Sequence, residues 1–404
     1  MPGHAGDLAR LRDLRTLRIA ITAFFALDGF VFAGWVVRIP AIKEQTGASP
    51  GALGLALLGV SAGAVITMML TGRLCRRFGS HPVTVACAVL LSLSVALPPL
   101  THSALALGAV LLVFGAAFGG INVAFNSAAV DLVAALGRPV MPSFHAAFSL
   151  GGMLGAGLGS LVAGSLSPTG HLLGITAAGL LVTAVAAPTL LRHTPPAPPA
   201  RTPGQEARDA EPRDASGAGR PDRRTRGPVV VLGLIAGCTA YGEGALADWG
   251  ALHLEADLDA SPGVAAIGYS CFALAMTIGR LTGTTLLERL GRTTVLVAGG
   301  ATATAGMLLG SLAPSVWATL LGFAVTGLGL ANIFPVAIER AGALAGPGGV
   351  ATASTLGYLG MLLGPPAIGF MAEWSSLPAA LTSVAVLAAF ASAIAFNTRH
   401  SAAK

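Results

Sequence analysis

Several polar side chains lie inside long apolar stretches of this chain, where they could bind a proton or a polar solute. They comprise two carboxylic acids and three amides, namely Asp28, Glu243, Asn122, Asn126 and Asn332. Asp28 lies about 15 Å along a helix from Arg18, close to the centre of a bilayer whose apolar core is about 30 Å thick. An ionisable group at that depth costs free energy, so these residues are the first candidates for a functional site.

The two acids suit proton chemistry and the amides suit a polar solute. A carboxyl group buried at the depth of Asp28 is one that can take up and release a proton, and we extend this interpretation to Glu243. Trp35 lies on the same helical face as Asp28 and could offer its ring to a solute, while Asn122 and Asn126, one turn apart, could bind solute hydroxyls. The alternative for each of them is a structural hydrogen bond between helices.

The composition requires that these residues sit in a membrane. Apolar residues make up 54% of the chain and charged residues 10%, which cannot cover an ordinary water-soluble surface. Apolar runs of membrane-spanning length predict an all-α membrane protein with twelve transmembrane helices in two six-helix bundles. The runs, here called spans 1 to 12, lie near 19–39, 51–72, 82–101, 104–132, 142–166, 169–191, 228–252, 262–282, 292–312, 315–338, 350–373 and 377–396.

The spans fall into two sets of six separated by a polar segment. The predicted parts are an N-terminal tail at 1–18, a bundle at 19–191, a linker at 192–227, a second bundle at 228–396 and a C-terminal tail at 397–404. The linker is rich in Pro and Arg and predicts disorder. Most of the 24 Lys and Arg residues fall in the tails, the linker and the loops on one side. The positive-inside rule makes that side cytoplasmic, with both termini, in a multi-pass protein of the plasma or inner membrane.

The two sets of spans are copies of one another. Ser49–Gly51 and Arg77–Gly79 flank span 2, and similar triplets, Ser261–Gly263 and Arg289–Gly291, flank span 8 at a shift of 212 residues. A duplicated half built of membrane-length apolar segments is typical of a secondary transporter.

The loop between spans 2 and 3 carries a family resemblance. Gly72–His81 is similar to the G-x-L-x-D-R-x-G-R-R pattern of the major facilitator superfamily, although Arg76 stands where that pattern has an acid and the second copy keeps one at Glu288. Gly151–Gly159 in span 5 resembles the glycine motif of superfamily antiporters. Gly34–Pro40, together with the segments 122–126 and 143–149, resembles the rhizopine-transporter (MosC-like) branch. The branch would imply a cyclitol-like or sugar-like solute.

The superfamily resemblance implies that spans 1, 4, 7 and 10 line a central cavity, and these are the spans that carry the acids and amides named above. His145, near the end of span 5, is expected at the surface or in a helix cap. Arg280 in span 8 has no partner that the sequence identifies, and it could pair with a carboxylate or extend toward the membrane surface.

A second group of charges lies at the ends of the spans and is interpreted as gates. The predicted ion pairs are Arg77 with Asp131, Arg289 with Glu339, and, on the outer side, Arg38 with Asp248. Each pair would close one face while the other opens. The alternative is that these are single charges extending from helix ends into water.

The sequence therefore predicts a proton-coupled secondary active transporter that works by alternating access. Two acids and no basic residue in the cavity spans favour a neutral polar or cationic solute. The expected partners are this solute, protons and the lipid bilayer. The basic residues are not interleaved with aromatic ones, so we expect no nucleic-acid partner. We expect the protein to be a monomer. We expect no enzymatic activity, cofactor or metal, because no nucleophile–base arrangement or metal-ligand spacing is present. The alternatives are a proton-antiport exporter of a drug-like compound or biosynthetic product, a transporter-like sensor and a lipid flippase.

Overall fold

The computed structural model describes residues 3–192 and 223–397, and all its regular elements are helices. The N-terminal set comprises Gly3–Val36 (span 1), Pro50–Phe78 (span 2), Ser80–Ser94 (span 3), Ala104–Leu136 (span 4), Met141–Leu161 (span 5) and Pro168–Arg192 (span 6). A short helix, Ile39–Thr46, follows span 1, and a 3-10 turn, Pro98–Leu100, follows span 3.

The C-terminal set repeats this order. It comprises Arg223–Ala256 (span 7), Pro262–Leu290 (span 8), Arg292–Leu312 (span 9), Val316–Leu330 (the first part of span 10), Ile333–Trp374 (the rest of span 10 and all of span 11) and Leu377–Asn397 (span 12). The long helix Ile333–Trp374 is kinked at Ala345 and Gly346, where spans 10 and 11 meet.

The predicted all-α fold with two bundles is confirmed, with differences at the edges. Helix covers most of the predicted tail 1–18, because Leu14 and Leu17 are buried and extend the apolar side of span 1. Span 7 begins at Arg223, inside the predicted linker, and residues 193–222 lie outside the described part of the chain.

Within the described residues, ten helical stretches are long and apolar enough to cross a membrane. The number is below twelve for two reasons. Spans 10 and 11 form one continuous stretch, Val316–Trp374, and span 5 is not among the ten. Span 5 contains His145, three serines and five glycines, which lower its mean hydropathy. Large apolar side chains such as Leu105 and Leu161 point outward, as a lipid-facing surface requires.

The sequence repeat is also a repeat of backbone conformation. Spans 2 and 8 have 29 residues each, and both follow a serine with φ of −62°. Both end at a glycine with positive φ, 87° at Gly79 and 79° at Gly291, a conformation that glycine adopts at little cost. Spans 3 and 9 begin at the next residue, so both loops turn the chain in the same way.

Close helix packing explains the glycines of span 5. A Cβ atom added to Gly151 would overlap the carbonyl oxygen of Ala26 in span 1, and one added to Gly29 would overlap that of Phe148. The glycine motif of span 5 therefore lets spans 1 and 5 approach to backbone contact distance. This is the usual role of small residues between membrane helices.

Two hydrophobic cores fill the molecule. One occupies the N-terminal set but also includes seven residues of the other half, Val229, Leu232, Ile338, Ala341, Val350, Ala351 and Ala353. The second lies within residues 235–395. The halves pack together through spans 2 and 11 and through spans 5 and 8.

We call the surface on which span 1 begins and span 12 ends the basic face. It carries the exposed arginines Arg73, Arg76, Arg77, Arg138, Arg192, Arg226, Arg289 and Arg292. Near this face, Gly72 of span 2 packs against Ala351 of span 11, and Val130 of span 4 packs against Gly342. The halves are thus in contact at the basic face.

Candidate functional site

Asp28 lies in the middle of span 1 with its carboxyl group fully enclosed. Its exposed fraction is 0%, and among the described residues neither carboxyl oxygen has a hydrogen-bond partner. One turn earlier, Phe25 packs on Phe125 of span 4 with ring centroids 3.8 Å apart. Because burying a charged group without a partner costs several kcal/mol, this environment accommodates the neutral acid and disfavours the carboxylate.

The amides of span 4 form a small polar group. The Asn126 amide nitrogen donates to the backbone oxygen of Asn122 at 2.8 Å, and the Asn126 side-chain oxygen is buried without a partner among the described residues. Asn122 is half-buried. The pair therefore retains acceptor capacity inside the protein, as a site for a hydroxylated solute would need.

Arg280 in span 8 is the centre of a polar cluster between the two halves. Its guanidinium contacts Glu243 of span 7 at 3.0 Å and donates to the hydroxyl of Ser149 in span 5 at 2.8 Å. A third, longer bond of 3.4 Å reaches the backbone oxygen of Ala331. The side chain is only 8% exposed. The partner that the sequence left open is thus Glu243.

This cluster overturns one step of the sequence argument. We expected no basic group at the cavity, because span 8 is not one of the spans that the resemblance places around it. Arg280 reaches Glu243 and Ser149 across the gap between spans 5, 7 and 8. The sequence did contain one indication of this pairing. Arg280 lies about 15 Å from the end of span 8 at Leu290, and a cation at that depth in a membrane needs a partner.

His145 is buried in the same region, so its predicted place at the surface or in a cap is wrong. Its ring packs edge-on against Phe25 at 5.3 Å and against Phe334 of span 10 at 5.7 Å. Its Nε2 atom has no hydrogen-bond partner among the described residues. The C-terminal half packs over the end of span 5, so His145 lies at the interface between the halves.

Two predicted solute-binding residues make structural contacts in this conformation. Trp35 is 2% exposed and packs on Phe114 within the N-terminal half, so its ring does not face a cavity. Asn332 lies at the break in span 10 and its amide nitrogen donates to the backbone oxygen of Gly279 in span 8 at 3.0 Å. In this conformation Asn332 joins two helices of one half.

The gate residues on the basic face pair differently from the prediction. Glu339 accepts from Arg292, with an Nε–Oε1 distance of 3.0 Å, in place of the predicted Arg289. In the N-terminal half, the corresponding acid Asp131 accepts from Ser80 in place of Arg77. Ser80 and Arg292 each follow the turn glycine of their half, so both acids contact the first residue of the next span.

Arg77 and Arg289 are exposed on the basic face. The guanidinium of Arg77 lies 5.1 Å from the ring centroid of Phe78. The predicted partners are therefore wrong in this conformation, because each acid contacts a residue that lies beyond the turn glycine and not the arginine before it.

The predicted outer pair is also wrong in this conformation. Arg38 is buried and donates to His171 Nδ1 at 2.9 Å and to the backbone oxygens of Val162 and Ala163 at 3.3 Å, all in its own half. Asp248 is exposed on span 7. Arg38 therefore ties span 1 to the loop between spans 5 and 6.

An ion pair that the sequence argument missed bridges the halves at the basic face. Arg138, in the loop between spans 4 and 5, contacts Glu288 near the end of span 8 at 2.7 Å. The side chains are 59% and 35% exposed. Glu288 is the acid that the second copy of the loop motif retains. Within the described residues, no group of three His, Cys, Asp or Glu side chains could hold a metal ion.

Comparison with known proteins identifies the family. The family model described as Major Facilitator Superfamily matches residues 19–249 and again 232–404, so the two matches together cover nearly the whole chain. The chain belongs to the major facilitator superfamily.

Relatives of this transporter support the branch as well. An uncharacterised MFS-type transporter of Yersinia pestis is 35% identical over 369 residues, covering 90% of this chain and 91% of the relative. The membrane protein MosC of Rhizobium meliloti is 29% identical over 391 residues, covering 96% and 91%. The resemblance to MosC therefore extends over nearly the whole chain.

Solved structures show the same fold. The crystal structure of the MFS transporter FucP in the outward conformation has a TM-score of 0.77 at 17% identity and covers 94% of this chain and 97% of FucP. The human organic anion transporter MFSD10 has a TM-score of 0.76 at 19% identity, covering 95% and 99%.

Proposed function

We propose that this superfamily transporter is a proton-coupled secondary active transporter that works by alternating access. The observation that carries the proposal is the enclosure of Asp28, whose oxygens have no partner among the described residues. A carboxyl group in this position is stable when neutral, and it ionises only when a conformational change brings water or a cation to it. Because ionisation of Asp28 depends on the conformation of the protein, uptake and release of its proton are coupled to the conformational cycle of transport.

The proposed solute is small, neutral and polar, in the manner of a sugar or cyclitol. Asn122, Asn126 and His145 offer side-chain hydrogen-bonding atoms at or near the centre of the molecule. Arg280 compensates the charge of Glu243, which removes the reason to expect a cationic solute. Glu243 remains a candidate for a second proton site, because protonating it would release Arg280.

We further propose that the basic face is cytoplasmic, following the distribution of arginines. The contacts between the halves at this face would then close the cytoplasmic side. The alternative of a drug exporter rested on the glycines of span 5, and their contact with the backbone of span 1 accounts for those glycines without an export role.

The test uses purified protein in proteoliposomes. A thermal-shift screen of sugars, cyclitols and amines first identifies a stabilising solute, since binding to the folded state raises its stability. With that solute, we expect Asp28→Asn to lose accumulation driven by a pH gradient while it still exchanges labelled for unlabelled solute, which needs no net proton transfer.

The matched control is Glu373→Gln, which neutralises an exposed acid at the end of span 11 and should behave as wild type. Accumulation by Asp28→Asn at the wild-type rate, with the wild-type pH dependence, would remove Asp28 from the mechanism. Movement of labelled lipid without solute transport would favour a flippase, and solute binding without any transport would favour a sensor.

A further inference from the structure

A positively charged cleft of about 390 Å³ opens on the basic face, between the two halves and away from the central cluster. Met69, Arg73 and Arg76 of span 2 form one wall, and Arg226 and Val230 of span 7 form another. The start of span 11 closes the cleft with the backbone of its glycines. Each half therefore contributes at least one arginine to the same space.

The charge of this cleft is not neutralised by the described part of the chain. Arg73, Arg76 and Arg226 are exposed, and none of them has an ion pair with a described residue. Elsewhere on the basic face, Arg138 and Arg292 are each paired with a glutamate. Three cations thus converge in the cleft, and none of the described residues that line it is a carboxylate.

Arg76 distinguishes this cleft from the superfamily pattern. The superfamily pattern has an acid at this position, so the arginine replaces a negative charge by a positive one. The Arg76 guanidinium lies against Gly348, near the start of span 11. Backbone N–H groups in the first turn of a helix add to the attraction for an anion.

The other side of the cleft is apolar. Met69 and Val230 line it and remain 45% and 42% exposed, so an apolar surface is open beside the arginines. A ligand that fills the whole cleft needs an anionic group for the arginines and an apolar chain for this surface. Inorganic phosphate would meet only the first need.

We propose that the cleft binds the phosphate head group of an anionic phospholipid from the leaflet at the basic face, with an acyl chain along Met69 and Val230. Arginines bind phosphate oxygens through paired N–H groups, and basic pockets between membrane helices are suited to such head groups. Because the cleft exists where span 2 meets spans 7 and 11, the lipid stabilises the state in which the halves touch at the basic face.

The experiment is native mass spectrometry of the full chain titrated with phosphatidylglycerol and, separately, with phosphatidylcholine. The test variant is Arg73→Gln/Arg76→Gln/Arg226→Gln. The matched control, Arg12→Gln/Arg15→Gln/Arg192→Gln, removes the same charge from exposed arginines of the same face outside the cleft. We expect the wild type and the control to prefer phosphatidylglycerol, and each cleft arginine lost to weaken that binding about fivefold.

Equal weakening in the two triple variants would show a general surface-charge effect and overturn the proposal, as would wild-type binding in the test variant. Competition with glycerol 3-phosphate separates a lipid site from a site for a soluble anion. Displacement of the lipid at an equal concentration of glycerol 3-phosphate would overturn the lipid assignment, whereas resistance to a large excess supports it. The single variant Arg76→Gln, with an expected fivefold loss, keeps the test valid if the triple variant does not fold.

Discussion

The ion pair between Arg280 and Glu243 allows a quantitative prediction about the centre of the molecule. Arg280→Met keeps an unbranched side chain that matches the arginine as far as Nε, and it removes the guanidinium together with its bonds to Ser149 and Ala331. Glu243 is then left with its charge in a largely enclosed site. Glu243→Gln has the converse effect and leaves the more deeply buried Arg280, 8% exposed, without its counter-charge.

The expected cost follows from burial. Breaking a buried pair by removing one partner typically costs about 3 to 5 kcal/mol, because the remaining charge is uncompensated. Glu243 is 27% exposed and can be partly hydrated, so we expect Arg280→Met to lower the free energy of unfolding by about 3 kcal/mol, the lower end of that range. Glu243→Gln should cost at least as much. The double variant carries no unpaired charge, and we expect it to cost less than either single one.

The assay is reversible unfolding in mixed detergent micelles for the wild type, both single variants and the double variant. The coupling energy from this cycle should be about 3 kcal/mol or more in favour of the pair. The same cycle on Arg138 and Glu288, the exposed pair between the halves, should give no measurable coupling. If the effects of the two central substitutions simply add, the pair makes no contribution and the account of the cluster is wrong.

The remaining predictions concern helix packing and the contact between the halves. Gly151→Ala should abolish stable expression, because the new methyl group overlaps the Ala26 carbonyl oxygen. Gly157→Ala, which has open space around it, should express as wild type, and fluorescence size-exclusion profiles compare the two variants. In a background without native cysteines, a reducible bifunctional thiol reagent long enough to span the Arg138–Glu288 ion pair should cross-link Arg138→Cys to Glu288→Cys and stop solute exchange until the link is reduced. Full exchange by the cross-linked variant would show that the basic face does not open during transport.

The spans and the duplication could be predicted because their signals are local. The turn glycines at positions 79 and 291 and the serines that precede spans 2 and 8 act within a few residues, and apolar length alone marks most helices. The break in span 10 before Ile333 was not predictable in this way. Asn332 stabilises it by bonding to Gly279 of another helix, and that contact has no trace in the local sequence.

The pairing of charges could not be predicted, because it depends on rotation of a helix about its axis. Arg289 and Arg292 lie on opposite sides of the turn glycine Gly291, in different helices, and it is Arg292 that reaches Glu339. The burial of His145 likewise depends on the half that packs over it, since its own helix places it near an end. Arg280 was missed for a different reason: the cavity spans came from the family resemblance, which left span 8 out.

The first hydrophobic core has a consequence for how the protein is made. Seven of its residues, from Val229 to Ala353, belong to spans 7, 10 and 11. During synthesis the first six helices enter the membrane before these residues have left the ribosome. The N-terminal bundle then exposes the apolar surface against which these seven side chains will pack. Until the later helices arrive, lipid must cover that surface. A chain truncated before residue 350 therefore lacks part of the core of its N-terminal half as well as most of span 11. Membrane proteases and chaperones can recognise the exposed apolar surface until it is covered.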